Sequence, residues 1–194
     1  MCELKGRGVF LVKAGEMTTD VLLDKLPEGE TIIEERIYQT AEVAAFHPES
    51  LNTVRIPCIA CKDGLHFLTS FFRMGRGSSV VDNAGAGGVF AAVDSSTGTI
   101  SSDGVDESGG SYIKHPDTGL TIKGFTLPEW DGAIELITEL MPIIPECRYI
   151  AWDFAHTVGG WAIVEANAYG GFAAVQNADG IGLRKEVERL IELV

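Results

Sequence analysis

The alternation of apolar and polar residues is most regular between residues 149 and 171, where the chain reads YIAWDFAHTVGGWAIVEANAYGG. This pattern predicts two strands joined by a turn at the Gly-Gly pair. Asp153, Glu165 and Asn167 stand among residues that such a strand pair would bury. Because polar groups in apolar surroundings require a partner, these three side chains are candidates for a functional site.

The length of the turn decides whether the two acids share a face of the hairpin, because side chains alternate across a strand. A two-residue loop formed by the glycine pair sends Asp153 and Glu165 to opposite faces. A three-residue loop that begins at Val158 pairs the two acids directly and brings Asn167 to the same face. We expect the three-residue loop, with a glycine at its left-handed position.

Two explanations account for paired acids on one face. Neighbouring carboxylates repel each other, and a hard divalent cation such as Mg2+ removes that repulsion while it keeps water positions for phosphate oxygens. Alternatively, the segment is an ordinary hairpin whose acids reach solvent at the edge of a sheet. The hairpin pattern alone leaves both explanations open.

Patterns elsewhere predict an α+β fold, with a mainly antiparallel sheet and helices packed on one side. The apolar spacing from Pro128 to Met141 is that of an amphipathic helix. The Asp-Gly step at residues 63–64 predicts the turn of a strand pair within residues 53–72. Further strands are expected at 5–13, 30–37 and 90–93, further helices at 18–26 and 183–194, and a single helical turn between 39 and 52.

The composition is that of a globular chain: 45% of its 194 residues are hydrophobic, enough for one well-packed domain. The formal net charge of -13 argues against a nucleic-acid partner, because such binding depends on Lys and Arg side chains that neutralise phosphates. No apolar run approaches the roughly 20 residues of a membrane span, and the start lacks the apolar core of a signal peptide. We therefore expect a cytoplasmic protein.

The four cysteines are too few for a disulfide scaffold and are typical of a reducing compartment. Cys58 and Cys61 have the CxxC spacing that zinc and redox sites use. Within a predicted strand, however, a spacing of three sends the two thiols to opposite faces. We therefore do not expect a functional CxxC.

A second candidate group consists of positively charged side chains. Arg55, Arg73 and Arg76 lie at the ends or edges of predicted strands, and Arg73 and Arg76 belong to a glycine-rich segment. The fork of arginine matches phosphate and carboxylate oxygens, although each arginine could equally pair with a surface acid. A third group is the GRGV turn, where backbone N–H groups at Gly6 and Gly8 could cradle phosphate.

The chain carries the succession GRGVF, IIEERI, HPESLNTVRI, FFRMGRGSSVVDNAGAGGV, HPDTG, YIAWDF and VEANAYGGF. This order of motifs resembles the ATP-grasp superfamily, and within it the sugar-transfer-associated ATP-grasp proteins, relatives of ligases that add amino acids such as glutamate to a carboxylate. The resemblance covers nearly the whole chain, from Gly6 to Phe172.

The resemblance implies a function for each candidate residue. The residues that match the Mg2+ ligands are Asp153, Glu165 and Asn167. The hinge strand whose backbone contacts adenine corresponds to Glu34, Glu35, Arg36 and Ile37, and Glu42 would reach the ribose. The residues that match contacts to phosphate, acyl phosphate or acceptor substrate are Arg55, Arg73 and Asn83.

The resemblance further implies ATP and Mg2+ as cofactors and a small carboxylate as substrate. In reactions of this class the carboxylate attacks the γ-phosphate, and an amine or similar nucleophile then attacks the acyl phosphate. The resemblance also suggests a role in polysaccharide or cell-surface biosynthesis. An alternative is a non-catalytic remnant that binds an anionic ligand or a partner chain.

Relatives also carry an N-terminal substrate-binding domain and a lid subdomain with a lysine before the glycine-rich loop, and neither precedes Cys2. We therefore expect residues 1–194 to be a single truncated ATP-grasp domain. Residues 1–37 would be the remnant of the lid and hinge, and residues 38–194 the C-terminal subdomain. A homo-oligomer or a complementing N-terminal chain could complete it. Whether the HPDTG loop contacts substrate or is a simple turn stays open.

Overall fold

The computed structural model describes residues 12–13, 15–26, 29–79, 82 and 87–194. Within these residues the chain forms one nine-stranded sheet in which every pairing is antiparallel. The strands are β1 (Thr53–Cys61), β2 (Gly64–Phe67), β3 (Ser70–Met74), β4 (Val89–Asp94), β5 (Thr99–Ile100), β6 (Gly104–Val105), β7 (Ser111–Tyr112), β8 (Tyr149–Thr157) and β9 (Gly160–Asn167). Their order is β7-β6-β4-β3-β1-β8-β9, with β2 beside β1 and β5 beside β4.

The helices confirm the α+β class but lie on both faces of the sheet, which differs from the expected one-sided arrangement. They are α1 (Thr19–Lys25), α2 (Ala41–Ala44), α3 (Trp130–Leu140), α4 (Ala173–Asp179) and α5 (Arg184–Ile191). The main core joins one sheet face to α2 and α3. On the other face, α4 packs on Phe71 and Phe90, and α5 packs on Ile59 and Leu68.

The predicted amphipathic helix is confirmed as α3, which begins two residues later than Pro128. Trp130, Ala133 and Ile137 form its buried stripe at the spacing of one helical face. The predicted N-terminal helix is α1, where the Thr18 hydroxyl accepts a hydrogen bond from the backbone N–H of Val21. None of the helices in the described part of the chain is long and apolar enough to cross a membrane.

The predicted strand at residues 30–37 is wrong. Residues 30–38 have no regular secondary structure, and the first ladder contact of this segment is a single bridge from Gln39 to Thr157. Ile32 and Ile33 are 83% and 75% exposed, so neither side chain is buried against the sheet. Most of the strand expected at residues 5–13 lies outside the described residues.

The two cysteines of the CxxC occupy opposite faces of β1, as the spacing predicted. Cys58 is buried in the main core, and Cys61 packs beside α5 on the other face. Burial, followed by the nearby Cys61 thiol, raises the pKa of Cys58 to about 12. The Cys58 thiol is therefore protonated and unreactive at neutral pH.

Candidate functional site

The predicted hairpin is β8 and β9, and its register places Asp153 directly opposite Glu165. The predicted pairing is confirmed, but the predicted three-residue loop is wrong. Thr157 pairs with Gly160, so the turn contains two residues, Val158 and Gly159. A β-bulge between this turn and the acids then shifts the register by one residue.

The extra residue of the bulge is Val164. Phe154 pairs with Ile163 on the turn side of it, and Asp153 pairs with Glu165 on the other side. Without the bulge, a two-residue turn would place Val164 opposite Asp153 and would point Glu165 to the other face. The bulge therefore produces the register that a three-residue loop was expected to produce. Asn167, two residues beyond Glu165, lies on the same face.

The same face continues across two more strands. Arg55 on β1 lies opposite Asp153 on β8, and Thr53, two residues earlier, lies opposite Arg73 on β3. Because neighbouring strands are about 4.8 Å apart, these side chains form a continuous polar row across β3, β1, β8 and β9. We call this set the carboxylate row; its members are Thr53, Arg55, Arg73, Asp82, Asp153, Glu165 and Asn167.

Asp153 is the centre of the carboxylate row and is only 1% exposed. Its Oδ1 accepts a hydrogen bond from Arg55 Nε at 2.5 Å, and its Oδ2 accepts one from Arg55 Nη2 at 2.6 Å. Oδ2 also accepts a hydrogen bond from Arg73 Nη2 at 2.9 Å. A carboxylate has about four acceptor positions, so these three donors leave one position free.

Arg73 is buried between two acids. Its Nε and Nη2 donate to the Thr53 hydroxyl oxygen at 2.9 and 2.6 Å, and Nε lies 3.5 Å from Asp82 Oδ2. The Thr53 hydroxyl in turn donates to Asp82, which also accepts from the Thr53 backbone N–H at 3.0 Å. Burial raises the pKa of Asp82 despite the opposing charge of Arg73. The Arg73 side chain is therefore held by these partners and is not exposed to solvent.

Arg55 is more accessible, since 18% of its side chain is exposed. Burial alone would lower its pKa, but the hydrogen bonds that Arg55 donates to Asp153 and the charges of Asp153 and Glu165 reverse the effect and raise it. Its guanidinium carbon lies 5.9 Å from the centroid of Phe71. Arg55 is therefore the arginine of the carboxylate row that solvent can reach.

Glu165 and Asn167 form the open end of the row. Glu165 is exposed, and Asn167 is half-buried with its Nδ2 buried and without a hydrogen-bond partner among the described residues. Buried polar atoms normally form hydrogen bonds. The unpaired Nδ2 of Asn167 is therefore what we expect of a side chain that binds a ligand. Rotation of this amide presents its oxygen instead.

These observations test whether the row fits Mg2+. Glu165 offers a free carboxylate, Asn167 an unpaired amide, and Asp153 one remaining acceptor position. Oxygen donors of these kinds are what Mg2+ takes from proteins, with water or phosphate completing the octahedron. When its three acids are ionised, the row carries one more negative charge than the two arginines supply. The residues present therefore fit the ion.

The other predicted site residues lie apart from the row or outside the described chain. Gly6, Gly8 and Asn83 are outside the described residues. The hinge residues and the first turn of α2 lie before β1. They are Glu34, Glu35, Arg36 and Glu42, which are exposed, and Ile37, which is half-buried. A cavity of about 140 Å³ adjoins this segment and is lined by Arg36, Ile37, Tyr38, Gln39, Ala44, Pro48, Ser50 and Leu51.

The turn that follows β3 is held by the HPDTG loop. His115 Nε2 donates to the Gly75 carbonyl at 2.8 Å, and the Gly77 N–H donates to Asp117 Oδ2 at 2.6 Å. From the other side, His47 Nε2 donates to the Gly77 carbonyl at 3.0 Å. A Cβ on Gly75 would collide with His47, which explains the glycine. The loop thus fixes the end of the strand that carries Arg73.

Arg76 does not join the carboxylate row. Its Nη1 donates to the hydroxyl of Tyr112 at 2.7 Å and to Asp106 Oδ2 at 3.2 Å. The hydrogen bond from Tyr112, followed by that from the Gly110 N–H, lowers the pKa of Asp106 to about 2. Asp106 is therefore ionised across the usual pH range, and Arg76 is anchored to it.

Two members of the row were not found from the sequence. Thr53 and Asp82 carry no motif of their own, and their contact joins residues 29 positions apart. Their positions in the sequence could have identified them, because both lie close to predicted site residues. Thr53 is two positions before Arg55, and Asp82 immediately precedes Asn83.

Comparison with known proteins gives one match. The model of a family described as sugar-transfer associated ATP-grasp matches residues 19–192, which is most of the chain. No curated protein matches the chain, and no solved structure matches it. The matched range contains every described member of the carboxylate row.

Proposed function

Because the chain belongs to the sugar-transfer associated ATP-grasp family, we propose that it binds ATP with Mg2+ and activates a substrate carboxylate as an acyl phosphate. An amine or a similar nucleophile then takes the acyl group and releases phosphate. Membership of the family supports an ATP-grasp ligase-like domain in general. The specific reaction is supported by the carboxylate row.

The observation that carries the proposal is the pairing of Asp153 with Glu165 beside an unpaired Asn167. Two facing carboxylates and an amide provide oxygen ligands on one side, and Arg55 provides a planar cation on the other. When bound, Mg2+ would neutralise phosphate charge and hold the nucleotide oxygens in line for transfer. Little acid–base chemistry is required of the side chains, because such reactions depend on positioning and charge stabilisation.

The two arginines serve different purposes in this proposal. Arg55 lies at the exposed side of the row and is placed to contact a phosphate or acyl-phosphate oxygen. Arg73 is enclosed by Thr53, Asp82 and Asp153, so it positions Asp153 without contacting substrate. This assignment changes the expectation for Arg73, for which the resemblance implied a substrate contact.

We propose that the nucleobase lies against the hinge segment. The cavity of about 140 Å³ is bounded by Ile37 and Tyr38 on one side and by Pro48 and Leu51 on the other. Leu51 is two residues before Thr53, the first residue of β1. The lining mixes apolar and polar side chains, among them Ile37, Pro48, Leu51, Arg36, Gln39 and Ser50. A flat base with hydrogen-bonding edges suits such a lining, and Glu42 lies in the first turn of the adjacent helix.

A remnant that binds a bare anion is the alternative. The carboxylate row does not favour it, because three acids face two arginines and both arginines already bind Asp153. An anion without a metal would meet the exposed Glu165 carboxylate, and both arginines of the row are already paired. We further propose a cytoplasmic location, where ATP is supplied, and a place in polysaccharide or cell-surface biosynthesis, in agreement with the family's association with sugar transfer.

The test uses the full chain with a non-hydrolysable ATP analogue, with and without Mg2+. Analogue and Mg2+ together, at about 100 times the Kd, should raise the Tm by roughly 5 °C or more, and neither should do so alone. Glu165→Gln removes an exposed ligand without loss of a packing contact and should abolish the shift. Glu146→Gln, which changes an exposed acid away from the row, should keep it.

Hydroxylamine separates the ligase from the remnant, because it converts an acyl phosphate to a hydroxamate. With ATP, Mg2+ and a panel of small carboxylates, the ligase should yield a hydroxamate and the remnant should yield none. A Mg2+-dependent shift that survives Glu165→Gln would refute the assigned metal ligands. Absence of any shift at millimolar analogue would refute the nucleotide site itself.

A further inference from the structure

A second group of metal-ligating side chains lies at the opposite end of β1 from the carboxylate row. The ligand atoms of Cys61, Asp63 and His66 all lie within 4.8 Å of one another. Cys61 is six residues from Arg55 along the strand, which corresponds to about 20 Å. The two groups are therefore separate, and the proposed function uses none of these three side chains.

The β1–β2 hairpin brings the three residues together. Cys61 pairs with Gly64 across a two-residue turn, and Ile59 pairs with His66. Cys61 and Ile59 share a face of β1, so His66 lies on that face as the diagonal neighbour of Cys61. Asp63 belongs to the turn and accepts a hydrogen bond from His66 Nε2 at 2.8 Å.

We propose that Cys61, Asp63 and His66 bind a divalent cation of borderline softness, with Zn2+ as its representative. The three ligands are a thiolate, a carboxylate and an imidazole, the donor types that Zn2+ takes at about 2.0–2.3 Å. Mg2+ and Ca2+ are poor occupants because they prefer oxygen ligands to thiolate. Three protein ligands leave one tetrahedral position for water.

The surroundings suit such an ion. A thiolate, a carboxylate and a neutral imidazole balance the charge of Zn2+, so the occupied site is neutral and tolerates partial burial. Asp63 and His66 are 54% and 27% exposed at their side chains, which gives the ion a path from solvent. The ligand atoms need to rearrange by only one or two ångströms to reach the separations of a tetrahedral site.

The proposed site lies beside the C-terminal helix. The Cys61 thiol donates to the Leu190 carbonyl at 3.6 Å, and the Lys62 N–H donates to the Leu193 carbonyl at 2.9 Å. Metal binding takes up the thiol as thiolate and releases its proton to solvent. Metal binding therefore exchanges the hydrogen bond from Cys61 to the Leu190 carbonyl for a bond to the ion and leaves the contact from Lys62 in place.

The experiment uses the full chain, stripped of metal with a chelator and titrated with Co2+ and then Zn2+ in the absence of nucleotide. Co2+ bound to thiolate in a tetrahedral site gives a charge-transfer band in the near ultraviolet and d–d bands in the visible. We expect these bands to saturate at one equivalent and to disappear when Zn2+ is added. Calorimetry then gives the Zn2+ affinity.

Cys61→Ser should abolish the charge-transfer band, and Asp63→Asn and His66→Gln should each weaken Zn2+ binding by about tenfold or more. Cys147→Ser, which removes a thiol elsewhere, and Glu165→Gln, which changes the proposed Mg2+ site, should leave binding intact. His66 and Asp63 are exposed enough that their variants should fold even if Cys61→Ser does not.

The proposal is overturned if no band forms at one equivalent of Co2+. It is equally overturned if the band persists in Cys61→Ser, or if His66→Gln and Asp63→Asn bind Zn2+ as tightly as the parent chain. None of these outcomes bears on ATP binding, so a failure here leaves the proposed function untouched.

Discussion

Arg55 lies directly opposite Asp153 in the β1–β8 ladder and holds both oxygens of that carboxylate. Asp153 is also a partner of the buried Arg73, so its single negative charge is shared by two guanidinium groups. Asp153→Asn leaves both cations short of a counter-charge. We expect it to lower the free energy of unfolding by about 3 kcal/mol or more, measured by urea denaturation.

Glu165→Gln is the matched control for that measurement. Glu165 faces Asp153 but is exposed, so its neutralisation should change stability by less than about 0.5 kcal/mol. Equal stability of Asp153→Asn and the parent chain would show that the arginines find other partners. It would also contradict the central place of Asp153 in the carboxylate row.

Thr53 links Arg73 to Asp82 through a single hydroxyl, which accepts from the arginine and donates to the acid. Thr53→Val keeps the shape of the side chain but leaves both buried charged groups without this partner. We expect a loss of about 2 kcal/mol in thermal or urea unfolding. Thr53→Ser retains the hydroxyl and should lose less than half as much; equal losses would assign the effect to packing instead.

His115 should make stability depend on pH. Its ring is buried, its Nε2 donates to the Gly75 carbonyl, and its Nδ1 has no partner among the described residues. Burial lowers the pKa of His115, an effect that the Gly75 carbonyl and Asp117 oppose and that His47 and Arg76 reinforce. The folded state therefore keeps this ring neutral at pH values where the unfolded chain protonates it.

The sign follows from proton counts. Below the ordinary histidine pKa of about 6.5 the unfolded state binds the extra proton, so stability falls as pH decreases, by up to about 1.4 kcal/mol per pH unit. The loss continues until pH reaches the lowered pKa of the folded state. His115→Gln should reduce this slope between pH 7 and 5 in urea unfolding; an unchanged slope would exclude His115 as its source.

The relation between Asp153 and Glu165 shows what the sequence could and could not predict. Alternation of apolar residues identified both strands, and the requirement that the acids share a face selected the right pairing. The turn is one residue shorter than expected, which shifts the register by one residue, and the bulge shifts it back by one. The sequence pattern constrains only the net register. The sequence therefore predicted the facing acids but not the way in which the chain achieves them.

Contacts between distant segments could not be predicted from the sequence. Thr53 with Asp82 and His115 with Gly75 depend on how separate loops pack, and neither pair leaves a periodic signal. The opposite error occurred at Ile32 and Ile33, where a local apolar pair suggested a strand. Strand propensity is realised only when a neighbouring strand is available to pair with it, and the described residues supply none.

The bulge at Val164 has a consequence for solubility. β9 is the last strand in the sheet order of the described residues, so one row of its backbone N–H and C=O groups has no partner strand there. A flat edge strand of eight residues would be a template on which a second copy could extend the sheet. The bulge interrupts that template near its middle, and the charged Glu165 follows at once. The irregularity that aligns the acids thus also protects the chain against aggregation through this edge.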